Sequence, residues 1–217
     1  MRFAFLAAFA VFSAVHLYAS AKCDKMLRGV TKVFLISTLL GWYMTSVQEP
    51  AAVVIAAIAT SWLGDVLLMC GMAGFVIGGG SFFISHLLYA AAYCLQTDMA
   101  AVPVWIMVLA PLVYLTAVVL VFRGLRGHIP SKLLYPGMAG YLATNGAMNC
   151  FALFQLIAMP CAASAMTFIG AVLFFASDSI LFFVRFKKDC VFKTHFMVML
   201  TYILAQFLIV EGFILMV

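Results

Sequence analysis

Two carboxylates stand in stretches that otherwise look made for lipid. Asp65 lies in Ser61-Trp62-Leu63-Gly64-Asp65-Val66-Leu67-Leu68, and Asp178 in Ala176-Ser177-Asp178-Ser179-Ile180-Leu181. An ionisable group at such depth costs roughly 2.5 to 3.5 kcal/mol on insertion scales, so it faces a protein interior or a watery cavity. Two of them make a candidate site: a pair for acid–base chemistry, or stations on a proton or solute path.

Further polar side chains recur at helical steps. His86 and Tyr89 are three apart and share a face. Tyr141, Asn145 and Asn149 repeat every four residues, and Tyr202 and Gln206 are also four apart. Polar residues in membrane helices also serve as interhelical glue, so each stripe has a structural reading beside the functional one. A histidine at position 86 is equally well explained by a buried hydrogen bond. Lys32, one turn inside its helix, has snorkelling to the interface as its commoner fate.

The elements that must position these groups follow from composition. The 217 residues are 67% hydrophobic and 9% charged, with a mean hydropathy of +1.20. No soluble fold has enough interior to hide that much apolar side chain. A spanning helix needs about 20 predominantly apolar residues. On that measure the chain divides into spans at 3–20, 29–47, 51–70, 75–96, 101–122, 133–157, 161–184 and 195–217. The expected fold is an all-α membrane protein with about eight transmembrane helices in one integral membrane domain over residues 1–217. The apolar runs are continuous and do not alternate, which argues against a barrel.

Charge distribution sets an expected orientation. Lys22, Lys25 and Arg28 follow the first span, Arg123, Arg126 and Lys132 surround the fifth connection, and Arg185, Lys187, Lys188 and Lys193 fill the seventh. These connections fall on one face, while Arg2, Glu49 and Asp98 are on the other. The positive-inside rule makes the basic face cytoplasmic with both termini outside, most simply in a plasma (inner) membrane. Contact with anionic headgroups accounts for the net charge of +5 without a nucleic-acid partner. The first span also resembles a signal peptide ending at Ala19-Ser20-Ala21, but the basic residues just beyond it favour retention.

In this topology Asp65 and Asp178 descend on parallel-running helices to nearly the same level. Lys32, Tyr141 and Tyr202 enter from the cytoplasmic side, with His86, Asn145 and Gln206 nearer the midplane. One cavity opening to the cytoplasmic leaflet would hold them all. Gly29-Val-Thr-Lys32 before Asp65 parallels Ile129-Pro-Ser-Lys132 before Asp178, a hint of two four-helix halves in parallel orientation. Gly78-Gly79-Gly80 either loosens its helix or admits a close neighbour, and the span with Pro103 and Pro111 is expected at the periphery. The six cysteines show no Cys-x-x-Cys spacing and read as packing residues. The four histidines are scattered, so no metal site is expected.

These segments carry a family resemblance. Ser61-x-x-Gly64-Asp65-x-Leu-Leu, Phe82-x-x-x-His86-x-x-Tyr89, Tyr141 seven before Met148, Gly170-Ala171-x-Leu173-Phe174-x-x-Ser177-Asp178 and Thr201-Tyr202-x-x-Ala205-Gln206 occur in the order seen in the YhhN-like lysoplasmalogenase family. The chain resembles that family from about Lys32 to Leu208, departing in the last helix, where a commonly doubled tyrosine is followed by Ile203. The resemblance implies an eight-helix hydrolase that cleaves the vinyl ether of lysoplasmalogens to a fatty aldehyde and a glycerophospho-base. It implies Asp65 and Asp178 as the catalytic pair, with Lys32, His86, Tyr89, Tyr141, Tyr202 and Gln206 around a lysophospholipid; Asn145 joins this set by its depth, and no cofactor is expected.

The chemistry agrees with the residue types. Vinyl ether hydrolysis starts with protonation of the outer alkene carbon and passes through an oxocarbenium ion, so it needs an acid and a nearby anion. Two carboxylates in a low-dielectric cavity supply both. Lys32 near the mouth could hold the phosphate as a point charge. The same constellation also suits a small-molecule, lipid or proton-coupled transporter, and a metal-dependent lipid amidase would need the histidine cluster that is missing.

Overall fold

The computed structural model describes residues 2–131, 134–187, 191 and 194–216. Lys132, Lys188, Cys190 and Lys193, which entered the reading of the basic loops, the possible repeat and the cysteines, lie outside them. Among the described residues the chain forms eight helices and no strand. They are α1 (Arg2–Ala21), α2 (Lys25–Ser46), α3 (Ala52–Leu67), α4 (Gly71–Gln96), α5 (Val104–Gly124), α6 (Leu134–Ala158), α7 (Ala162–Phe186) and α8 (Phe196–Leu215), with a 3-10 turn at Met99–Ala101. Each expected span falls on one of them.

Five helices, α1, α4, α5, α7 and α8, are long and apolar enough to cross a membrane. The chain is a multi-pass membrane protein. α2 carries Lys25, Arg28 and Lys32 and starts at Asp24, whose side chain accepts a 3.0 Å bond from the Leu27 amide. α3 has 16 residues, about 24 Å at the usual rise against a hydrocarbon core of ~30 Å. It stops at Leu67, earlier than the expected span, which sets Asp65 in its last turn rather than five residues inside.

The pairs α1–α2, α3–α4 and α7–α8 are packed side by side, α6 touches α4 and α7, and α8 touches α1 and α2. α5 packs chiefly on α6 and buries only Ala110, Val118 and Phe122. That is the peripheral position its uninterrupted apolar surface implies. Glycine sets the tightest approaches: a Cβ on Gly78 would lie 3.0 Å from the Gly64 carbonyl, and one on Gly170 would lie 2.8 Å from the Ala205 carbonyl. The helices bearing the two aspartates are therefore each drawn against the next helix through a residue without a side chain. In the Gly78-Gly79-Gly80 run only Gly78 admits a neighbour; a Cβ on Gly79 or Gly80 would meet nothing within 4 Å, and α4 runs through without a break.

The interior is mixed. Leu35, Ile58, Phe174, Tyr93 and Phe213 are fully or almost fully buried, but so are Ser61, Ser85, His86, Asn145, Asn149, Gln155 and Gln206. Of the cysteines described, Cys150 alone is buried, while Cys23, Cys70, Cys94 and Cys161 are exposed. The packing role expected of the cysteines therefore holds for one; the others lie at or near helix ends or on the outer surface, where no core needs filling.

Candidate active site

α3 and α7 bring their aspartates to one cavity of about 1100 Å³. Its walls come from α2, α3, α4, α6, α7 and α8, with His16 of α1. It runs from the helix ends at Lys25, Leu68, Leu134 and His195 down to Asp65, Tyr141, Asp178 and Tyr202. Gly79 and Gly80 of α4 and Gly137 and Gly140 of α6 line it too, so missing side chains widen it.

The two carboxylates are held differently. Asp65 is 2% exposed, and both its oxygens are engaged: Lys32 Nζ lies 3.1 Å from Oδ1, and the Tyr202 hydroxyl donates a 2.6 Å bond to Oδ2. Lys32 therefore turns inward to a buried anion instead of snorkelling, because Asp65 sits one helix away at the level of its ammonium. Asp178 receives two neutral donors on the same oxygen, the Tyr141 hydroxyl and Asn145 Nδ2, each at 2.7 Å from Oδ2. None of the hydrogen bonds among the described residues reaches its Oδ1.

Aromatic rings connect the two acids. Tyr202 packs edge-on against Phe82 and Phe174, and the His86 ring stands 4.8 Å from Phe174 and 5.2 Å from Tyr141. His86 Nε2 is 3.6 Å from Asp178 Oδ2, beyond hydrogen-bond length. Neither of its ring nitrogens has a partner although the side chain is fully buried. A modest approach of the ring would join it to Asp178.

Of the residues expected at the site, Lys32, Asp65, Tyr141, Asp178 and Tyr202 line the cavity, whereas His86, Tyr89, Asn145 and Gln206 do not. Asn145 reaches the cavity through Asp178. In turn its Oδ1 accepts from Asn149, whose own Oδ1 accepts from Tyr114 of α5. Tyr89 and Gln206 belong to a deeper chain in which Tyr89 donates to Gln206 Oε1, Gln206 Nε2 donates to Ser61, and Ser61 meets Ser85 at 2.6 Å. That chain ties α3, α4 and α8 together beneath Asp65.

Sequence reasoning missed the upper wall. Lys25, Arg28 and Arg185 serve as markers of orientation in the sequence and His16 is one of four scattered histidines, yet all four residues line the cavity with His195. His195 stands just before α8, where burial, reinforced by Arg28, Lys32 and Arg185, holds its pKa down to about 4. It is thus a neutral imidazole at physiological pH. The signal available in sequence was the i, i+3, i+4 placement of Lys25, Arg28 and Lys32 with Gly29 on α2, a face that needs a solvated partner.

The model of the YhhN family matches residues 27–213. The chain belongs to the YhhN family. The match takes in both aspartates and the residues that hydrogen-bond to them, and leaves out the whole of α1. No curated protein and no solved structure matches the chain.

Proposed function

We propose that this protein is an intramembrane hydrolase that cleaves the vinyl ether of lysoplasmalogens. The YhhN family is generally linked to lysoplasmalogenase activity. The observation that carries the proposal is the unequal pair in one cavity: Asp65 is bound to a cation, while Asp178 has only neutral donors and one oxygen free of them.

This difference divides the roles. A carboxylic acid whose carbonyl oxygen accepts from Tyr141 and Asn145 carries its proton on the other oxygen, so Asp178 Oδ1 is the donor. It delivers a proton to the outer alkene carbon, and the electron pair of the double bond forms the new C–H bond as the ether oxygen shares its lone pair with the adjacent carbon. The resulting oxocarbenium ion is met by the negative Asp65–Tyr202 side of the cavity. A preorganised anion of this kind stabilises charge only as it develops. Water adds to the cationic carbon and gives up its proton to a carboxylate. The hemiacetal then collapses, with the departing glycerol oxygen taking a proton, to fatty aldehyde and glycerophospho-base. One water is consumed and both carboxyl groups regain their starting states.

The apolar walls with Phe82, Phe83 and Phe182 suit an alkenyl chain, and the basic residues at the mouth support its opening to the cytoplasmic leaflet by the positive-inside rule. The test is turnover of lysoplasmenylethanolamine by the purified protein in detergent, with no gradient. Aldehyde release supports the hydrolase. Movement of lysolipid into sealed vesicles without aldehyde would make the cavity a carrier's.

A further inference from the structure

Lys32 is spent on Asp65, so it is not the phosphate ligand of this cavity. One helical turn above it on α2 stands Arg28, about 6 Å away along the axis. The Arg28 Nε is buried without a hydrogen-bond partner. Lys25, a further turn up, and Arg185 of α7 line the same region, and Arg185 lies over the Phe75 ring at 5.4 Å. Among the described residues no carboxylate forms an ion pair with any of these cations.

Beside them is a second unsatisfied group. His16 of α1 is 1% exposed, lines the cavity, and has its Nδ1 2.8 Å from the Thr31 hydroxyl. Thr31 has one hydroxyl proton and donates it to the Leu27 carbonyl at 2.7 Å. In the tautomer that lets Thr31 keep this bond, His16 Nδ1 is the donor to Thr31 and a neutral His16 presents Nε2 as a bare acceptor. That Nε2 has no partner. Burying an unsatisfied polar atom costs free energy, and doing so on a cavity wall points to a ligand that satisfies it.

Thr31 stands between Arg28 and Lys32 in sequence, so α2 presents in order an unpaired guanidinium, a histidine acceptor and the ion-paired acid. We propose that this upper wall is a glycerophosphate subsite, in which Arg28, aided by Lys25 and Arg185, binds the phosphate and His16 Nε2 accepts the hydrogen bond of a free glycerol hydroxyl. The order matches a lysolipid whose cleavable bond lies on the far glycerol carbon: phosphate, hydroxyl, ether. A glycerol unit spans about 6 Å from phosphorus to the far ether oxygen, the same as one helical turn. An acyl group on the middle oxygen would remove the proton that His16 needs, so His16 would select for the lyso form. This inference rests on the lysolipid reading of the cavity, but it concerns binding and not bond cleavage.

The test is therefore binding of uncleavable saturated-ether ligands to the purified protein in nanodiscs of zwitterionic lipid. Four probes are compared: a 1-alkyl-glycerophosphoethanolamine, its 2-O-methyl derivative, 1-alkylglycerol, and inorganic phosphate as competitor. For the unaltered protein the parent should bind about 10- to 100-fold more tightly than the alkylglycerol and about 3- to 10-fold more tightly than the methyl ether. Arg28→Gln should abolish the first preference and His16→Leu the second, while His16→Gln, which restores an acceptor, recovers part of it. Lys22→Gln, equally basic but off the cavity wall, should change neither. Equal binding of all three lipids to the unaltered protein overturns the subsite without needing any variant to fold. Preferences unaffected by Arg28→Gln and His16→Leu in folded protein overturn it as well. Displacement of the parent by millimolar inorganic phosphate with the methyl ether unpenalised would assign the anion to a soluble source and overturn the glycerol part. Retained preferences without any aldehyde from a lysoplasmalogen would sink the hydrolase reading and leave the subsite standing.

Discussion

Asp178→Asn separates the chemistry of the site from its architecture more cleanly than any other change. The asparagine can place its carbonyl where Oδ2 lies and accept from both Tyr141 and Asn145, which approach that oxygen at 2.7 Å. No donor is stranded, so stability should move by less than about 1 kcal/mol. Asp178→Leu would strand both donors, at about 1 to 3 kcal/mol each when buried, for a loss of roughly 2 to 6 kcal/mol. What Asn cannot do is deliver a proton from the second oxygen. Loss of a general acid costs about 10²- to 10⁴-fold in rate, or roughly 3 to 5 kcal/mol of barrier. The assay is fatty aldehyde release measured by mass spectrometry beside thermal unfolding in the same detergent. Run briefly in D₂O, the unaltered protein should give aldehyde with one solvent deuterium on the carbon next to the carbonyl. Aldehyde release by a well-folded Asp178→Asn within threefold of the parent, or aldehyde formed without deuterium, would refute the assignment of Asp178 as proton donor to carbon.

Other substitutions probe the surroundings. Lys32→Met leaves the 2% exposed Asp65 without its counter-ion and should destabilise by about 1 to 3 kcal/mol, the lysine end being open to the cavity. Adding Asp65→Asn should recover most of this in thermal unfolding, and strictly additive losses would mean the pair has no coupling. Gly170→Ala drives a Cβ to within 3 Å of α8 backbone and should cost about 1 to 3 kcal/mol, whereas Gly79→Ala meets nothing and should be neutral or slightly stabilising in the same measurement. Asn145→Lys puts a cation beside Asp178 and should lower aldehyde release at least tenfold by making both carboxylates charge-paired; unchanged turnover would show that the unequal environments do not set the roles.

The helical count and the aspartates were legible because their signals are large. Continuous apolar runs have no alternative reading, and a carboxylate inside one costs too much to be incidental. Tyr141 and Tyr202 were placed near the level of the aspartates by their helical steps, while which tyrosine meets which aspartate came only from the packing. The destination of Lys32 was not legible, since snorkelling and pairing with Asp65 differ only in which neighbour its helix meets. The roles of His16, Arg28 and Arg185 were hidden by the same ambiguity: a basic residue near a helix end serves orientation and ligand equally well until the packing shows a cavity behind it. Tyr89 and Gln206 were placed at the site by the resemblance and by helical steps, neither of which tells a cavity wall from the layer beneath it.

The contact pattern bears on the two-halves idea. Exchanging the first four helices with the last four carries α1–α2 onto α5–α6, α3–α4 onto α7–α8, α2–α3 onto α6–α7 and α4–α6 onto α8–α2, all of them packed pairs, while α1–α8 has no equally packed counterpart. One offset of 113 positions relates Lys32 to Asn145, Asp65 to Asp178 and Tyr89 to Tyr202. These correspondences support a proposal of duplicated halves. Under it, the aspartates are equivalent by descent and must have been made unequal. One departure is at Lys32 and its counterpart Asn145: an ammonium faces Asp65 where an amide faces Asp178. The tyrosines have diverged too, since Tyr202 bonds to Asp65 while Tyr89 turns to Gln206, and Asp178 takes its hydroxyl from Tyr141 instead. A symmetric pair of like carboxylates offers no reason for one to hold a proton and the other a charge. A lysine in one half and an asparagine in the other supplies that reason, which is what the proposed division into proton donor and anion requires.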